Sequence, residues 1–368
     1  MQEIRLALVG AGHRGRQMFY TGSKFAEKII PVAACDINSD LWYKSQREQP
    51  PMAETFPDTV FYEDFHTMLA KEKIDVLLVE TPATIHAEFC AEGLSRNINV
   101  LSDIPLVRNY DEAAMLWEAG KKSKALLMTG ANPNEWGFIE ALHDLYKKGM
   151  LGKPFFMEAE YIHDLRSLWE ESPWRRTYQP IRYCTHSLGP LLKLLAEGDE
   201  LRKVSCFSTG AHVVGEENQH DIMTAHFSTP DNVVIRFTAS FINEAKCGLH
   251  SYRVFGTEGY FERLSERGKS PAHCMFNSKK LYGTSSSLTE ISIDMTRPEF
   301  ANASRNTGHG GADYVLFHDY FNALRTGDME RVITMKDGIR MSLPGFFAAE
   351  SADKGGEVVE IRYPWDND

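Results

Sequence analysis

The stretch that most restricts the fold of this chain lies at its start. Ile4 to Val9 are apolar apart from Arg5, and they run directly into Gly10-Ala11-Gly12-His13-Arg14-Gly15, followed by a segment with helical potential. In such a strand–turn–helix unit the first glycine permits the tight turn and the second lets backbone approach a pyrophosphate. The third lets the helix pack on the strand. The helix N-terminus offers its positive end to phosphates. A second apolar strand, Ile29 to Cys35, ends at Asp36, 21 residues after Gly15, close to the spacing at which an acid bonds the adenosine ribose. A carboxylate there repels a 2′-phosphate, so NAD is expected over NADP. A glycine turn by itself has many false matches; strand, helix, second strand and terminal acid together carry the reading.

Strand-like runs continue at Val60 to Tyr62, Ile74 to Glu80, Asn99 to Leu101 and Ala125 to Thr129, with helix-like segments between them. Alternation of this kind calls for a doubly wound parallel sheet with right-handed crossovers. Ligands gather at the carboxyl ends of such strands, which here carry Thr81-Pro82, Asp103-Ile104-Pro105 and Gly130-Ala131-Asn132. Gly10, Gly12, His13, Arg14, Gly15, Asp36, Thr81, Pro82, His86, Asp103 and Asn132 are the expected cofactor residues, with Trp174 and Arg175 added from the second half. After residue 131 the pattern changes to long strands joined by turns, so residues 1–131 are expected to form a Rossmann domain. Residues 132–368 are expected to form an α+β domain with an open, mostly antiparallel sheet. In it, Val233, Ile235, Phe237, Ala239 and Phe241 alternate with Val234, Arg236, Thr238 and Ser240, the period of a strand. Phe155–Ile162, Lys203–Val213, Asp221–Ser228, Asn232–Ile242 and His250–Phe255 are its predicted strands.

A chain of 368 residues exceeds the roughly 250 at which one core stops growing, which agrees with two domains. With 40 Lys and Arg against 51 Asp and Glu, the net charge of −11 repels nucleic acid and anionic membrane. No apolar run approaches the ~18 residues of a membrane span. The six cysteines lack CxxC spacing and several sit in apolar runs, which fits a reducing cytoplasm, although an export segment removed from the N-terminus stays open. No internal repeat or metal motif is present.

In the second half, Tyr161-Ile162-His163-Asp164-Leu165-Arg166 is too polar for a core strand, and Tyr183-Cys184-Thr185-His186 precedes an apolar run that reads as a buried helix from Leu188 to Leu195. Tyr183 and His186 then share one face near a helix start, which lowers an imidazole pKa and suits a proton shuttle near pH 7. A buried structural histidine and surface arginines are the competing readings of His186, Arg166 and Arg175.

Gly10-Ala11-Gly12, Glu80-Thr81-Pro82 followed by His86, and a strand ending in an acid-x-Pro triplet resemble the Gfo/Idh/MocA oxidoreductase family across the first half. The resemblance implies a second domain built on an open antiparallel sheet whose free face is often a dimer surface, hence a homodimer or higher homo-oligomer. Members usually carry Glu-Lys-Pro at the triplet, where the lysine assists proton transfer. Ile104 exchanges no proton, so either the protein is inactive or the second domain does the acid–base work. Tyr183-x-Thr-His186-x-Leu-Gly-Pro, Tyr161-Ile-His-Asp-Leu-Arg, Trp174-Arg175 and Gly308-His309-Gly310-Gly311-Ala312-Asp313-Tyr314 resemble, in the same order, the NAD-dependent alpha-N-acetylgalactosaminidase branch. Cys184 stands where proline is common there, and the region Glu262 to Ala303 aligns with nothing. This likeness implies Tyr183 and His186 as catalytic groups, with His163, Arg166 and His309 meeting a carbohydrate or glycoside; Tyr252, on a strand facing the expected cleft, is a second tyrosine for that contact, with a plain strand aromatic as the competing reading. Transient oxidation at C3 would acidify C2, a tyrosine would act as base, and His186 would protonate the departing oxygen or relay the hydroxyl proton. Elimination across C1–C2, water addition and hydride return would complete the cycle, without the paired carboxylates of conventional glycosidases. A plain sugar or polyol dehydrogenase and an inactive NAD-binding sensor are the alternatives.

Overall fold

In the computed structural model, which describes residues 3–26, 28–215, 220–244, 250–263, 272–281 and 287–368, the chain winds a parallel sheet and then a larger mixed one. The apolar runs fall where the pattern puts them: β1 (Ile4–Val9), α1 (His13–Ser23) and β2 (Ile29–Cys35). Two single turns, α2 (Asp40–Tyr43) and α3 (Met52–Thr55), precede β3 (Val60–Tyr62). Alternation continues through α4 (Phe65–Lys71), β4 (Val76–Val79), α5 (His86–Ser95), β5 (Asn99–Ser102), α6 (Tyr110–Lys122) and β6 (Leu127–Thr129). All six strands are parallel, in the order β3-β2-β1-β4-β5-β6. The order reverses between β1 and β4, which opens a crevice beyond their carboxyl ends. Leu6, Leu8 and the four residues of β4 are sealed from solvent, as strands covered on both faces require. Each such side chain contributes about 1.5–3 kcal/mol by burial.

The second sheet begins after α7 (Gly137–Lys147) with β7 (Pro154–Ile162). Single turns at Arg166–Leu168, Pro173–Arg176 and Pro180–Arg182 lead to α8 (Thr185–Leu192). β8 (Lys203–Ser208), β9 (Met223–Ser228), β10 (Val234–Ser240), β11 (His250–Gly256), β12 (Gly259–Arg263), β13 (Ala272–Ser278) and β14 (Thr289–Ile293) follow. After α9 (Ala312–Thr326) and α10 (Met335–Asp353), β15 (Val359–Glu360) closes the order β14-β13-β12-β11-β7-β10-β9-β8-β15. Its pairs are antiparallel except β7 with β10. The strand expected over Lys203–Val213 stops at Ser208. Gly210 takes φ +72°, and the Asp221 carboxylate accepts from the backbone N–H of His212 and Val213, turning the chain. The region Glu262 to Ala303 supplies β13 and β14; residues 264–271 and 282–286 lie outside the described residues.

α9 and α10 return to the first sheet. Met128 bridges Thr334, and the Thr129 N–H donates to the Ile333 carbonyl at 2.8 Å. α10 starts on a capping box between Thr334 and Asp337, which satisfies backbone donors at its N-terminus. Its middle touches both halves: Leu106 N–H donates to Ser342 Oγ at 3.0 Å, and Cys184 Sγ donates to the Met341 carbonyl. The five cysteines within the described residues are free and buried; Cys247 lies outside them. Among the described residues no helix is long and apolar enough to cross a membrane.

Candidate active site

The glycine loop has the geometry its sequence asks for. Gly10 sits at φ +94°, and a Cβ there would lie 2.5 Å from the Glu80 carbonyl carbon; at Gly15 it would lie 1.8 Å from the Gly10 oxygen. At Gly12 a Cβ would meet nothing within 4 Å, so the loop backbone is open to the cleft, which is what a pyrophosphate's approach requires. Asp36 orients its carboxylate by accepting from the Ala11 N–H at 2.8 Å and the Asn38 N–H at 2.9 Å. The cleft holds about 420 Å³ and is walled by Gly10, Gly12, His13, Asp36 and Thr81-Pro82 on one side and by Trp174 and Arg175 on the other. The Arg175 guanidinium lies 4.4 Å over the Trp174 ring and 5.8 Å from the Tyr183 ring. His86 braces two strand ends: its ring nitrogens face the carbonyls of Pro105 at 2.9 Å and Thr81 at 2.7 Å. Buried Thr81 Oγ1 has no partner among the described residues and faces the same cleft. These residues fit a dinucleotide.

Arg14 lines the same cleft, and its guanidinium also has partners within the protein. It pairs with Asp313 through two bonds of 2.6 and 3.0 Å, and its Nε lies 3.9 Å from Glu80 and 3.8 Å from Asp103. Asn132, also expected at the cofactor, is buried and donates to the same Asp313 at 3.1 Å. Burial would raise the Asp313 pKa, but Arg14 and His309 outweigh it and hold this carboxyl well below the usual range. Glu80 is sealed from solvent with neither oxygen hydrogen-bonded, and burial, reinforced by Asp103, pushes its pKa well up against the pull of Arg14.

Tyr183 precedes α8 and His186 sits in its first turn, with ring centroids 5.2 Å apart. Tyr161, at the end of β7, stands 5.3 Å from Tyr183 and 5.6 Å from His186. His163 approaches the Tyr161 hydroxyl at 3.1 Å, His250 packs 5.0 Å from Tyr161 and 5.8 Å from His186, and His309 lies 6.5 Å from His186. The structure therefore joins Tyr183, His186, His163 and His309 in one ring cluster and adds Tyr161 and His250, which the sequence reading left out. Those two are cross-strand partners on β7 and β11, a pairing that no local motif announces. Arg166 is committed elsewhere, held by Asp164 at 2.6 Å and by Glu244.

Tyr252 corrects the expectation of a substrate contact. It is fully buried and its hydroxyl donates to the His186 carbonyl at 2.8 Å, so it supports the first turn of α8 from behind. Tyr252→Phe leaves that buried carbonyl short of a donor; the expected result is a stability loss of about 1 kcal/mol in urea denaturation, with NAD⁺ affinity unchanged.

Burial sets the charge state of the cluster. It drives the His186 pKa well below the ordinary imidazole value, with His250 and His309 adding to the effect, and it lowers His250 and His163 as well. This replaces the near-neutral titration expected from the helix start alone. Burial raises both tyrosines, Tyr161 well above the ordinary phenol value and Tyr183 less because Arg175 opposes the shift. At neutral pH His186, His250 and His163 are thus neutral imidazoles beside the protonated phenols of Tyr161 and Tyr183. Among the described residues, no group of three His, Cys, Asp or Glu is placed to hold a metal.

Comparison with known proteins agrees with this geometry. Residues 4–131 match the family model described as the oxidoreductase family Gfo/Idh/MocA, NAD-binding Rossmann fold. A protein named glycosyl hydrolase family 109 from Saccharopolyspora erythraea is 22% identical over 98% of this chain and 83% of its own length. A Shewanella protein of the same name is 23% identical over 89% of this chain and 78% of its own. Among solved structures, levoglucosan dehydrogenase in complex with NADH and levoglucosan superposes with a TM-score of 0.78 at 17% identity, covering 98% of this chain and all of that one. The myo-inositol 2-dehydrogenase of Lactobacillus plantarum does so with a TM-score of 0.74 at 16% identity over 98% of this chain and 100% of that one. The two-sheet architecture is therefore a shared fold, and NAD is the cofactor of the N-terminal domain.

Proposed function

We propose, on the premise that residues 4–131 are an NAD-binding Rossmann domain of the Gfo/Idh/MocA oxidoreductase family, that this protein is an NAD-dependent enzyme cleaving a glycosidic bond through transient oxidation at C3. The observation that carries the reading is an apolar Ile104 in the cofactor cleft together with a Tyr183 ring 5.8 Å from the cleft's Arg175 and 5.2 Å from His186. The names of the relatives point the same way. Bound NAD⁺ would supply the oxidation and, on return, the reduction, leaving no net redox change. The residues divide the proton work. The buried His186, neutral at pH 7, accepts a proton as the C3 hydroxyl or C2 carbon gives one up. Tyr183, kept protonated by burial, donates to the departing C1 oxygen. Burial thus exchanges the roles that the family resemblance alone implies. Trp174 and Arg175 line the cleft from the second half.

A plain sugar or polyol dehydrogenase is favoured by one observation, the fold shared with levoglucosan and inositol dehydrogenases. A panel of nitrophenyl glycosides separates the two. Nitrophenol release without added cofactor, without NADH at 340 nm and with deuterium entering C2 in heavy water is the expected result. Stoichiometric NADH without C2 exchange would leave the dehydrogenase.

The free face of the large sheet bears linked ion pairs, Arg236 with Glu158 at 2.7 Å and Arg253 with Glu262 at 2.6 Å, and it suits a symmetric second copy in a homodimer. The buried free thiols suit a reducing cytoplasm.

A further inference from the structure

Asp313 is held by four contacts from three residues. Arg14 Nη1 and Nη2 donate to its Oδ2 and Oδ1 at 2.6 and 3.0 Å, Asn132 Nδ2 donates to Oδ1 at 3.1 Å, and His309 Nδ1 approaches Oδ2 at 3.1 Å. With its side chain 2% exposed, this carboxylate is spent on those donors. An ionised carboxylate only accepts, so the His309 nitrogen facing it carries the hydrogen, which fixes the ring's orientation. Nε2 is left as the nitrogen that can exchange a proton. The ring is 39% exposed, stands between Gly308 and Gly310 on backbone at φ +54°, and lies 6.5 Å from His186. Trp136 Nε1 donates to the His309 carbonyl at 2.9 Å and anchors the loop.

We propose that His309 is a further proton-transfer residue beside His186 and Tyr183 in the ring cluster, with Nδ1–H donated to Asp313 and Nε2 serving the substrate, and with Arg14 and Asn132 as positioning residues for the carboxylate. The proposal rests on the glycoside-cleaving reading, which moves protons at the C3 hydroxyl, at C2 and at the leaving oxygen. His186, 6% exposed, cannot trade protons freely with solvent, whereas the more open His309 beside it can. In the step, a neutral Nε2 forms its N–H bond as an O–H or C–H bond of the sugar breaks, and the electron pair stays on the sugar atom. The proton then leaves to water. The groups facing His309 are Asp313 on α9, His186 on α8, His163 after β7, His250 on β11 and, through Asp313, Arg14 on α1.

Long-range nitrogen–proton correlation on the NAD⁺-loaded protein carrying ¹⁵N-histidine tests the orientation. His309 is expected to show a protonated Nδ1, lost in Asp313→Asn and restored in Asp313→Glu. A bare Nδ1 in the wild type overturns the proposal. His309→Gly keeps the left-handed backbone and opens room for a small base. On the nitrophenyl glycoside turned over by the wild type, its kcat is expected to fall about 10²-fold, with NAD⁺ affinity held and partial rescue by imidazole. An unchanged kcat refutes the role. A wild type inert to every glycoside counts against the glycoside reading, and the nitrogen spectrum decides the His309–Asp313 pair independently.

Discussion

His186→Asn is expected to cut turnover by roughly 10²–10⁴-fold while leaving NAD⁺ affinity within about twofold. The ring lies at the centre of the cluster, 5.2 to 5.8 Å from Tyr183, Tyr161 and His250, but it is not among the residues lining the dinucleotide cleft. Asparagine keeps the volume roughly and removes the base. The pH profile gives a second readout. Because burial depresses the His186 pKa, the free base persists at neutral pH, and kcat/KM should fall only on acidification below the ordinary imidazole range. An acid limb centred at or above the ordinary value, or a variant as fast as the wild type, would remove His186 from the mechanism. Isothermal titration with NAD⁺ supplies the control for cofactor binding.

Arg14→Met is expected to cost about 3–5 kcal/mol of folding stability, because it strips the counter-charge from a buried carboxylate that stays behind. Asp313 keeps only Asn132 and His309, while Glu80 and Asp103 lose their nearest cation. Arg14→Lys should recover part of the loss, since the charge returns without the two-pronged fork. The pH dependence follows from opposite shifts. The depressed Asp313 contributes stability that is full above the ordinary carboxylate range and fades as pH falls. The raised Glu80 does the reverse: its contribution is full below that range and is lost as pH rises through its folded value. Removing Arg14 takes away the Asp313 term, so the deficit of the variant should be larger at neutral pH than in mild acid. Urea midpoints measured at the two conditions check this, and coincident wild-type and variant midpoints at neutral pH would show that the pair is energetically idle.

Much of the first half could be read directly. β1, β2 and β3 begin and end at the residues where the apolar runs do; inner strands such as β1 are written as nearly unbroken hydrophobic stretches because both their faces are covered. Gly10 and Gly15 follow from sterics that no other residue meets, while Gly12 leaves the backbone open to the cleft. The second half was harder. Period two gave β10 but not its parallel pairing with β7, since alternation records which face is buried and nothing about direction. The site shows the same limit. Tyr183 and His186 are neighbours in the chain and were found together, whereas His250 reaches them only through the β7–β11 register. Arg14 was placed with the phosphates by its position in the glycine loop, but its partner Asp313 lies 299 residues away. Tyr252 shows the opposite error, a tyrosine on the expected strand whose hydroxyl was already taken by a backbone carbonyl.

The return of the last two helices to the first sheet bears on how the chain is made. β6 takes its outer partner from Ile333 and Thr334, and Leu106 donates to Ser342, so the nucleotide-binding half is written first but finished last. A ribosome that has delivered only the first third of the chain has released a sheet with one edge unsealed. That edge gains its outer partner only once residues 333–342 have emerged as well.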